Sequence, residues 1–146
     1  MEKLYICKND ITMNSKLLMI GDYVLQDDNL KQNRICQITG LFDHGVVEVT
    51  GEKVPLHESH IKPIDLTPEI LEKIGFERYV SGPLITMWTG YGKDNEDDIE
   101  VDFQTDHNRI KIKIDVVGHF YRGEIKYFHE LQQLFRLFNI NIKIDL

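Results

Sequence analysis

Apolar and polar residues alternate in short runs over the first 66 residues, and turn residues separate the runs. The pattern predicts five short strands or extended pieces, at residues 23–26, 35–38, 46–49, 53–56 and 60–64. Gly45 offers a positive φ for a tight connection, so we expect the second and third strands to form a hairpin. A sheet of such short strands leaves exposed edges unless it closes, so this segment predicts a small curled β-barrel.

A short helix with complete end signals follows the β module. Thr67 is a typical N-cap, Pro68 suits the first helical turn, and Gly75 stands just past the end. Its apolar face consists of Ile70, Leu71 and Ile74. We place a domain boundary just before this helix, which divides the chain into a β module at residues 1–66 and an α+β module at residues 67–146.

The second module contains longer strands. Residues 84–89 predict one strand, and residues 99–104 and 110–115 each alternate apolar with polar positions, as the two strands of a hairpin do. Residues 124–139 have the 3.6-residue period of an amphipathic helix. Residues 140–146 alternate again, so we expect a final strand that joins the hairpin, with the long helix lying across the sheet.

The positions of the apolar residues restrict the register of this hairpin. They are odd-numbered in the first strand and even-numbered in the second, so the numbers of paired residues must sum to an odd value. The connection near residue 107 therefore has an even length, two or four residues. One register places Glu100 opposite Lys113 and the other places Asp102 opposite Lys113, and an acid faces a base in both.

Together these elements predict an α+β protein. A small β-barrel is followed by a short helix and by an antiparallel sheet of order β-β-β-α-β along the chain, covered by one long amphipathic helix.

The charge balance and the ends of the chain narrow the function classes. There are 17 Lys+Arg against 24 Asp+Glu, a formal net charge of −7, which opposes unassisted binding to phosphate backbones. The N-terminus lacks the apolar core of a signal peptide and no run is long enough to cross a bilayer, so we expect a cytoplasmic protein without membrane contact. Cys7 and Cys36 belong to no C-x-x-C pair, and we expect two reduced thiols.

No group of residues indicates catalysis or a metal site. His57 and His60 are three residues apart in a Pro-flanked extended segment, whereas the metalloprotease motif needs two histidines four apart on a helix. The acidic residues 93–98 lack the central Gly and the distal Glu of a calcium loop. Nucleophile-elbow, Walker A and dinucleotide-binding patterns are missing from the sequence. We therefore expect no enzymatic activity, no cofactor and no metal.

Aromatic residues near the edges of the predicted elements are candidates for partner contacts. Trp88 and Tyr91 precede the acidic loop, and His119 and Tyr121 stand between a strand and the long helix. Aromatic residues are enriched at interaction hot spots. Core packing is the alternative role for Trp88. A tyrosine can bury its ring while its hydroxyl stays in contact with water, so we expect Tyr91 and Tyr121 at the surface.

Three segments together resemble a family of small uncharacterised proteins from phage and prophage regions of gut bacteria. They are residues 20–24 (IGDYV), 61–71 (IKPIDLTPEIL) and 125–132 (IKYFHELQ). The resemblance covers most of the chain in order and implies a phage context without a known activity.

The opening of the β module carries a second resemblance. Gly21-Asp22-x-Val24, followed by two strands about a Gly turn, is similar to the start of SH3-like barrels such as KOW and Tudor modules. Members of that group that bind nucleic acid usually carry basic loops, whereas residues 1–66 hold 7 Lys+Arg against 10 Asp+Glu. The resemblance therefore implies an SH3-like barrel, and this departure argues against nucleic-acid binding.

Three functions remain open at this point. The leading hypothesis is a non-catalytic interaction or adaptor module that binds a protein partner, or forms a homodimer through an open strand edge. The second is a barrel that contacts RNA or DNA through Lys16, Lys31 and Arg34, with binding that weakens steeply as salt rises. The third is an enzyme or binder acting on a small molecule, which predicts a deep pocket and a perturbed titratable group. The histidines to inspect for that role are His57, His60, His107, His119 and His129.

Overall fold

The computed structural model describes residues 13–27, 34–81, 85–90, 98–104, 109–116, 119–140, 144 and 146. The chain divides into two compact units, Met1–Ile64 and Asp65–Leu146. Each unit contains one five-stranded antiparallel sheet, and the second also contains the two α-helices seen in the described residues. The fold is therefore mixed α+β, as the sequence predicts.

The sheet of the first unit is a meander whose last strand returns to the first. Its strands are β1 (Tyr23–Gln26), β2 (Arg34–Phe42), β3 (Val46–Val49), β4 (Leu56–His57) and β5 (Ile61–Lys62), in the spatial order β4-β3-β2-β1-β5. The hairpin of β2 and β3 is confirmed, with positive φ at His44 (63°) and Gly45 (73°) between them. No pairing joins β4 to β5 in the described residues, so the closed barrel that we expected is not found.

The core of the first unit lies on one face of this sheet. Alternate residues of the strands point inward, as the period of two requires. The buried cluster consists of Met13, Leu18, Val24, Cys36, Ile38, Val47, Val49 and Ile61. Met13 and Leu18 precede β1, so the segment before the first strand contributes to the same core.

Helix α1 (Pro68–Lys73) confirms the end signals in the sequence. The Thr67 hydroxyl accepts a hydrogen bond from Ile70 N at 3.4 Å, and Gly75 has a φ of 100° beyond the last turn. Leu71 and Ile74 are buried.

The sheet of the second unit is a five-stranded meander. Its strands are β6 (Glu77–Ser81), β7 (Ile85–Gly90), β8 (Asp98–Gln104), β9 (Arg109–Val116) and β10 (His119–Ile125). Each strand pairs with the next in the chain. Glu100 lies opposite Lys113, which is the first of the two predicted registers. Pairing ends at Gln104 and Arg109, so the connection has four residues.

Strands β6 and β10 were not predicted, and β10 explains two wrong predictions. We expected the C-terminal strand to join the hairpin of β8 and β9, but β10 pairs with β9 and β7 pairs with β8. Ile140, Ile144 and Leu146 lie in no strand, and the rest of residues 140–146 falls outside the described residues. Strand β10 also includes Glu124 and Ile125, which the sequence pattern assigned to the long helix.

The predicted long amphipathic helix over residues 124–139 is therefore not supported. Helix α2 (Phe128–Leu137) has ten residues. The Glu130 carboxylate begins it by accepting hydrogen bonds from Lys126 N (2.7 Å) and Tyr127 N (2.9 Å). Asn139, with a φ of 57°, follows its end. Phe128, Leu131 and Phe135 form its buried side, and the Phe135 ring stacks on Phe76 with ring centres 6.1 Å apart.

Candidate interaction surface

Three short turns of the first unit meet at the carboxylate of Glu58. The turns are Ser15–Leu17, Asp43–Gly45 and Glu58–His60. Ser15 N donates a hydrogen bond of 2.7 Å to Glu58 Oε2. Gly45 leaves the space that this side chain fills, because a Cβ there would lie 2.7 Å from Glu58 Cδ. We call this meeting point the Glu58 junction.

The electrostatics of the Glu58 junction favour the ionised carboxylate. Hydrogen bonds from the side chain and the backbone of Ser15 lower the pKa of Glu58 below its ordinary value of 4.5, and the nearby His57 and Lys16 add to the effect. The ionised carboxylate therefore links the turn that precedes β1 to the turn between β4 and β5 by hydrogen bonding.

We expect Glu58→Gln to lower the free energy of unfolding at pH 7 by up to about 1 kcal/mol, a small effect because solvent screens this carboxylate. The folded pKa lies below the unfolded pKa, so the stabilisation is present above pH 4.5 and is lost as pH falls through the folded pKa. Urea unfolding at pH 7, 5, 4 and 3 should show the difference between the two proteins shrinking with acid. Glu72→Gln, on the exposed side of α1, is the control. A difference that stays constant over this pH range would contradict the role assigned to the carboxylate.

Several large apolar side chains around the Glu58 junction are exposed. Leu17 is 65% exposed, Met19 48%, Ile20 64% and Phe42 53%. Leu17 belongs to the turn held by Glu58, and Phe42 immediately precedes the turn at Asp43–Gly45. Gly21 N donates to Ile38 O at 2.8 Å, which holds the segment that includes Met19 and Ile20 beside the middle of β2. We call these four side chains the junction surface; exposed apolar groups of this kind mark interaction sites when they lie together.

Phe42 lies beside a carboxylate on the outer face of the β2–β3 hairpin. Gly40 pairs with Glu48 and Phe42 pairs with Val46, so all four residues share this face. A Cβ at Gly40 would lie 3.1 Å from Phe42 Cε2 and 2.7 Å from Glu48 Oε2. The Phe42 ring and the Glu48 carboxylate therefore both lie close to the position that a Gly40 side chain would occupy, and they are adjacent to each other.

A polar network occupies the other end of β2. Arg34 donates to Gln26 Oε1 from Nε (3.0 Å) and Nη2 (2.6 Å), and Nη2 also donates to Thr50 O at 2.7 Å. Gln26 is fully buried and donates to Glu52 Oε1 at 3.0 Å, and this oxygen lies 3.6 Å from Arg34 Nη2. Gly51 has a φ of 83°, and a Cβ at this position would collide with Arg34 Nη1. The glycine therefore leaves the space that the guanidinium occupies. These hydrogen bonds link the turn after β3 to strands β1 and β2.

The three candidate phosphate contacts do not form one described patch. Arg34 begins β2 and is engaged by Gln26, Thr50 and Glu52. Lys16 is exposed in the turn held by Glu58, at the other end of β2. Nine residues of strand separate these ends, roughly 26 Å at about 3.3 Å per residue. Lys31 lies outside the described residues.

The candidate aromatic residues belong to the second unit. Trp88 lies in β7 opposite Val101, and His119 begins β10. Tyr121, which we expected at the surface, is half-buried, and its ring lies 6.1 Å from that of Phe138. Tyr91 lies outside the described residues.

The histidines and cysteines that could serve small-molecule chemistry are not grouped in the described residues. His57 Nδ1 accepts a hydrogen bond from Ser59 N at 3.2 Å, and both His57 and His60 are exposed. His129 is buried in α2 and stacks on Tyr127, and His107 lies outside the described residues. Cys36 is a buried free thiol, and burial raises its pKa. Cys7 lies outside the described residues.

The sequence analysis did not identify Glu58, Phe42 and Glu48 as residues of the candidate surface.

Among the residues that the structure describes, no three His, Cys, Asp or Glu side chains are grouped so as to hold a metal. Within the same residues, neither helix has the length and apolar character needed to cross a membrane. Comparisons with protein-family models, with curated proteins and with solved structures found no match.

Proposed function

We propose that the protein is a non-catalytic interaction module that binds a protein partner through the junction surface. The observation that carries the proposal is the exposure of four large apolar side chains in the first unit, Leu17, Met19, Ile20 and Phe42. Exposed apolar side chains gain free energy when a partner removes them from water. The phage or prophage context that the resemblance implies is in keeping with an accessory protein of this kind.

We propose further that the first unit is SH3-like, with a curled sheet that the described pairings leave open between β4 and β5. The strand order β4-β3-β2-β1-β5, with a 3-10 turn leading into the last strand, supports this assignment. In such a meander the last strand returns to the first, and the sheet curls around a single core. The buried cluster that runs from Met13 to Ile61 is consistent with that arrangement.

The nucleic-acid alternative has less support. The separation of Lys16 from Arg34 along β2 and the engagement of Arg34 by Gln26 and Thr50 both weigh against a shared phosphate contact. The net charge of −7 weighs in the same direction.

The proposal is tested by capture of partners with the tagged full-length chain from nuclease-treated host-cell lysate, read by mass spectrometry. We expect a stoichiometric protein partner whose capture falls at least about tenfold in the double variant Leu17→Asp/Ile20→Asp, because a charge is costly to bury in an apolar interface. Val54→Asp is the matched control, since Val54 is 69% exposed but lies outside the junction surface.

Two outcomes would contradict this function. Loss of all partners on nuclease treatment would favour nucleic-acid binding. Equal capture by the double variant and by Val54→Asp would place the interface elsewhere. Circular dichroism of each variant checks that the fold is retained, which we expect because all three positions are exposed.

A further inference from the structure

We propose that the outer face of the β2–β3 hairpin binds a Lys or Arg side chain of a protein partner, between the Phe42 ring and the Glu48 carboxylate. This inference rests on the proposed function and adds the chemistry of the partner: the segment that covers this face is basic.

The Phe42 ring and the Glu48 carboxylate lie next to each other. Both lie within 3.1 Å of one point above Gly40, because this residue has no side chain to keep them apart. Their positions on paired strands, Phe42 on β2 and Glu48 on β3, fix this adjacency in the hairpin. A single cation placed above them contacts both groups.

The Phe42 ring and the Glu48 carboxylate are both accessible to a partner. Phe42 is 53% exposed and Glu48 is also exposed. Within the part of the chain that the structure describes, no hydrogen bond or ion pair engages the Glu48 carboxylate. By contrast, Glu58 and Glu52 are both held by neighbours in the same unit.

The charge of Glu48 restricts the chemistry of any partner that covers this face. A partner that covers Phe42 also removes the adjacent carboxylate from water. Burying an ionised carboxylate is costly unless an opposite charge or hydrogen-bond donors compensate for it. A purely apolar or acidic partner is therefore disfavoured, whereas a Lys or Arg side chain pairs with Glu48 and also binds the face of the Phe42 ring.

The test is an NMR titration of the full-length ¹⁵N-labelled chain with the synthetic peptide Ac-GRGRGRG-NH₂ and with its Lys, Gln and Glu counterparts. We expect shifts of the backbone amides of Gly40, Phe42 and Glu48 with the Arg and Lys peptides. The Gln and Glu peptides should leave these amides unchanged. Binding should weaken as salt rises, since an exposed ion pair is screened.

Two variants test the contributions of the Phe42 ring and of the Glu48 charge separately. Phe42→Leu keeps an apolar side chain but removes the aromatic face, and Glu48→Gln keeps the size but removes the charge. We expect each to raise the dissociation constant of the Arg peptide at least about threefold. Glu72→Gln removes the same charge from the exposed side of α1 and should leave the constant within about twofold. An equal effect of Glu72→Gln and Glu48→Gln, or equal binding of the Gln peptide, would overturn the inference.

The same variants distinguish failure of this inference from failure of the proposed function. Suppose that the lysate partner is lost with Leu17→Asp/Ile20→Asp but retained by Phe42→Leu and Glu48→Gln. The interaction function then stands and the basic-segment site is wrong. If no protein is captured but the Arg peptide binds at Phe42 and Glu48, the site stands and the proposed function is wrong.

Discussion

We expect Phe135→Ala to lower the free energy of unfolding of the second unit by about 3 to 5 kcal/mol, the usual cost of removing a buried phenylalanine side chain. Phe135 is 1% exposed, and its ring stacks on Phe76 at an interplanar angle of 14°. The alanine variant loses this apolar burial and leaves a cavity between α2 and the segment that precedes β6.

Urea unfolding followed by fluorescence measures this effect. The chain has a single tryptophan, Trp88, and it lies in the second unit, so its emission reports on that unit. Leu137→Ala is the matched control, because Leu137 is on the same helix but is 75% exposed. We expect the control to change stability by less than about 0.5 kcal/mol. Similar losses in both variants would mean that burial of the Phe135 ring against Phe76 does not determine the effect.

The elements that the sequence predicted well are those determined by local signals. Helix α1 has its N-cap, its first-turn proline and its final glycine within nine residues, and the structure uses all three. The apolar positions restrict β8 and β9 to two registers, because a slip by one residue would turn every apolar side chain outward, and the structure has one of the two. Neither inference required knowledge of distant contacts.

Strand β10 was missed because a distant contact compensates for an unfavourable residue. Gly123 interrupts the alternation of side chains and weakens a strand. In the folded protein the Tyr121 hydroxyl end lies where a Gly123 side chain would be, and its ring packs against Phe138. Because the helical period of residues 124–139 overlaps the end of this strand, the pattern extended the helix too far.

The candidate surface was hidden from sequence reasoning for a similar reason. In the segment His57-Glu58-Ser59-His60 the two histidines do not have the spacing of the metalloprotease motif, and the residue that contacts a distant turn is the glutamate between them. Its partner, Ser15, is 43 residues away in the chain. Phe42 and Glu48 become neighbours only through the pairing of β2 and β3 over Gly40. Contacts of this kind have no local signature in a single sequence.

We expect Arg34→Ala to destabilise the first unit by about 2 to 3 kcal/mol, which would identify Arg34 as a structural residue. The substitution removes hydrogen bonds to Gln26 and Thr50 and leaves the Glu52 carboxylate beside a buried amide. Removing one member of a buried polar network leaves its partners poorly compensated, although the partial exposure of Arg34 limits the cost. Amide hydrogen exchange at Val24 and Cys36, in the strands joined by the network, measures the change.

Two further substitutions distinguish this structural role from a phosphate contact. Arg34→Lys keeps the charge but lacks the planar fork that reaches Gln26 and Thr50 together, so it should recover less than half of the loss. Lys16→Ala removes an exposed cation and should change stability by less than about 0.5 kcal/mol. If Arg34 instead served to bind phosphate, both alanine variants would weaken retention on heparin at low salt and neither would affect hydrogen exchange. The guanidinium that looks like a nucleic-acid contact in the sequence would then be a ligand group, and the stability of the β3–β4 turn would have to come from elsewhere.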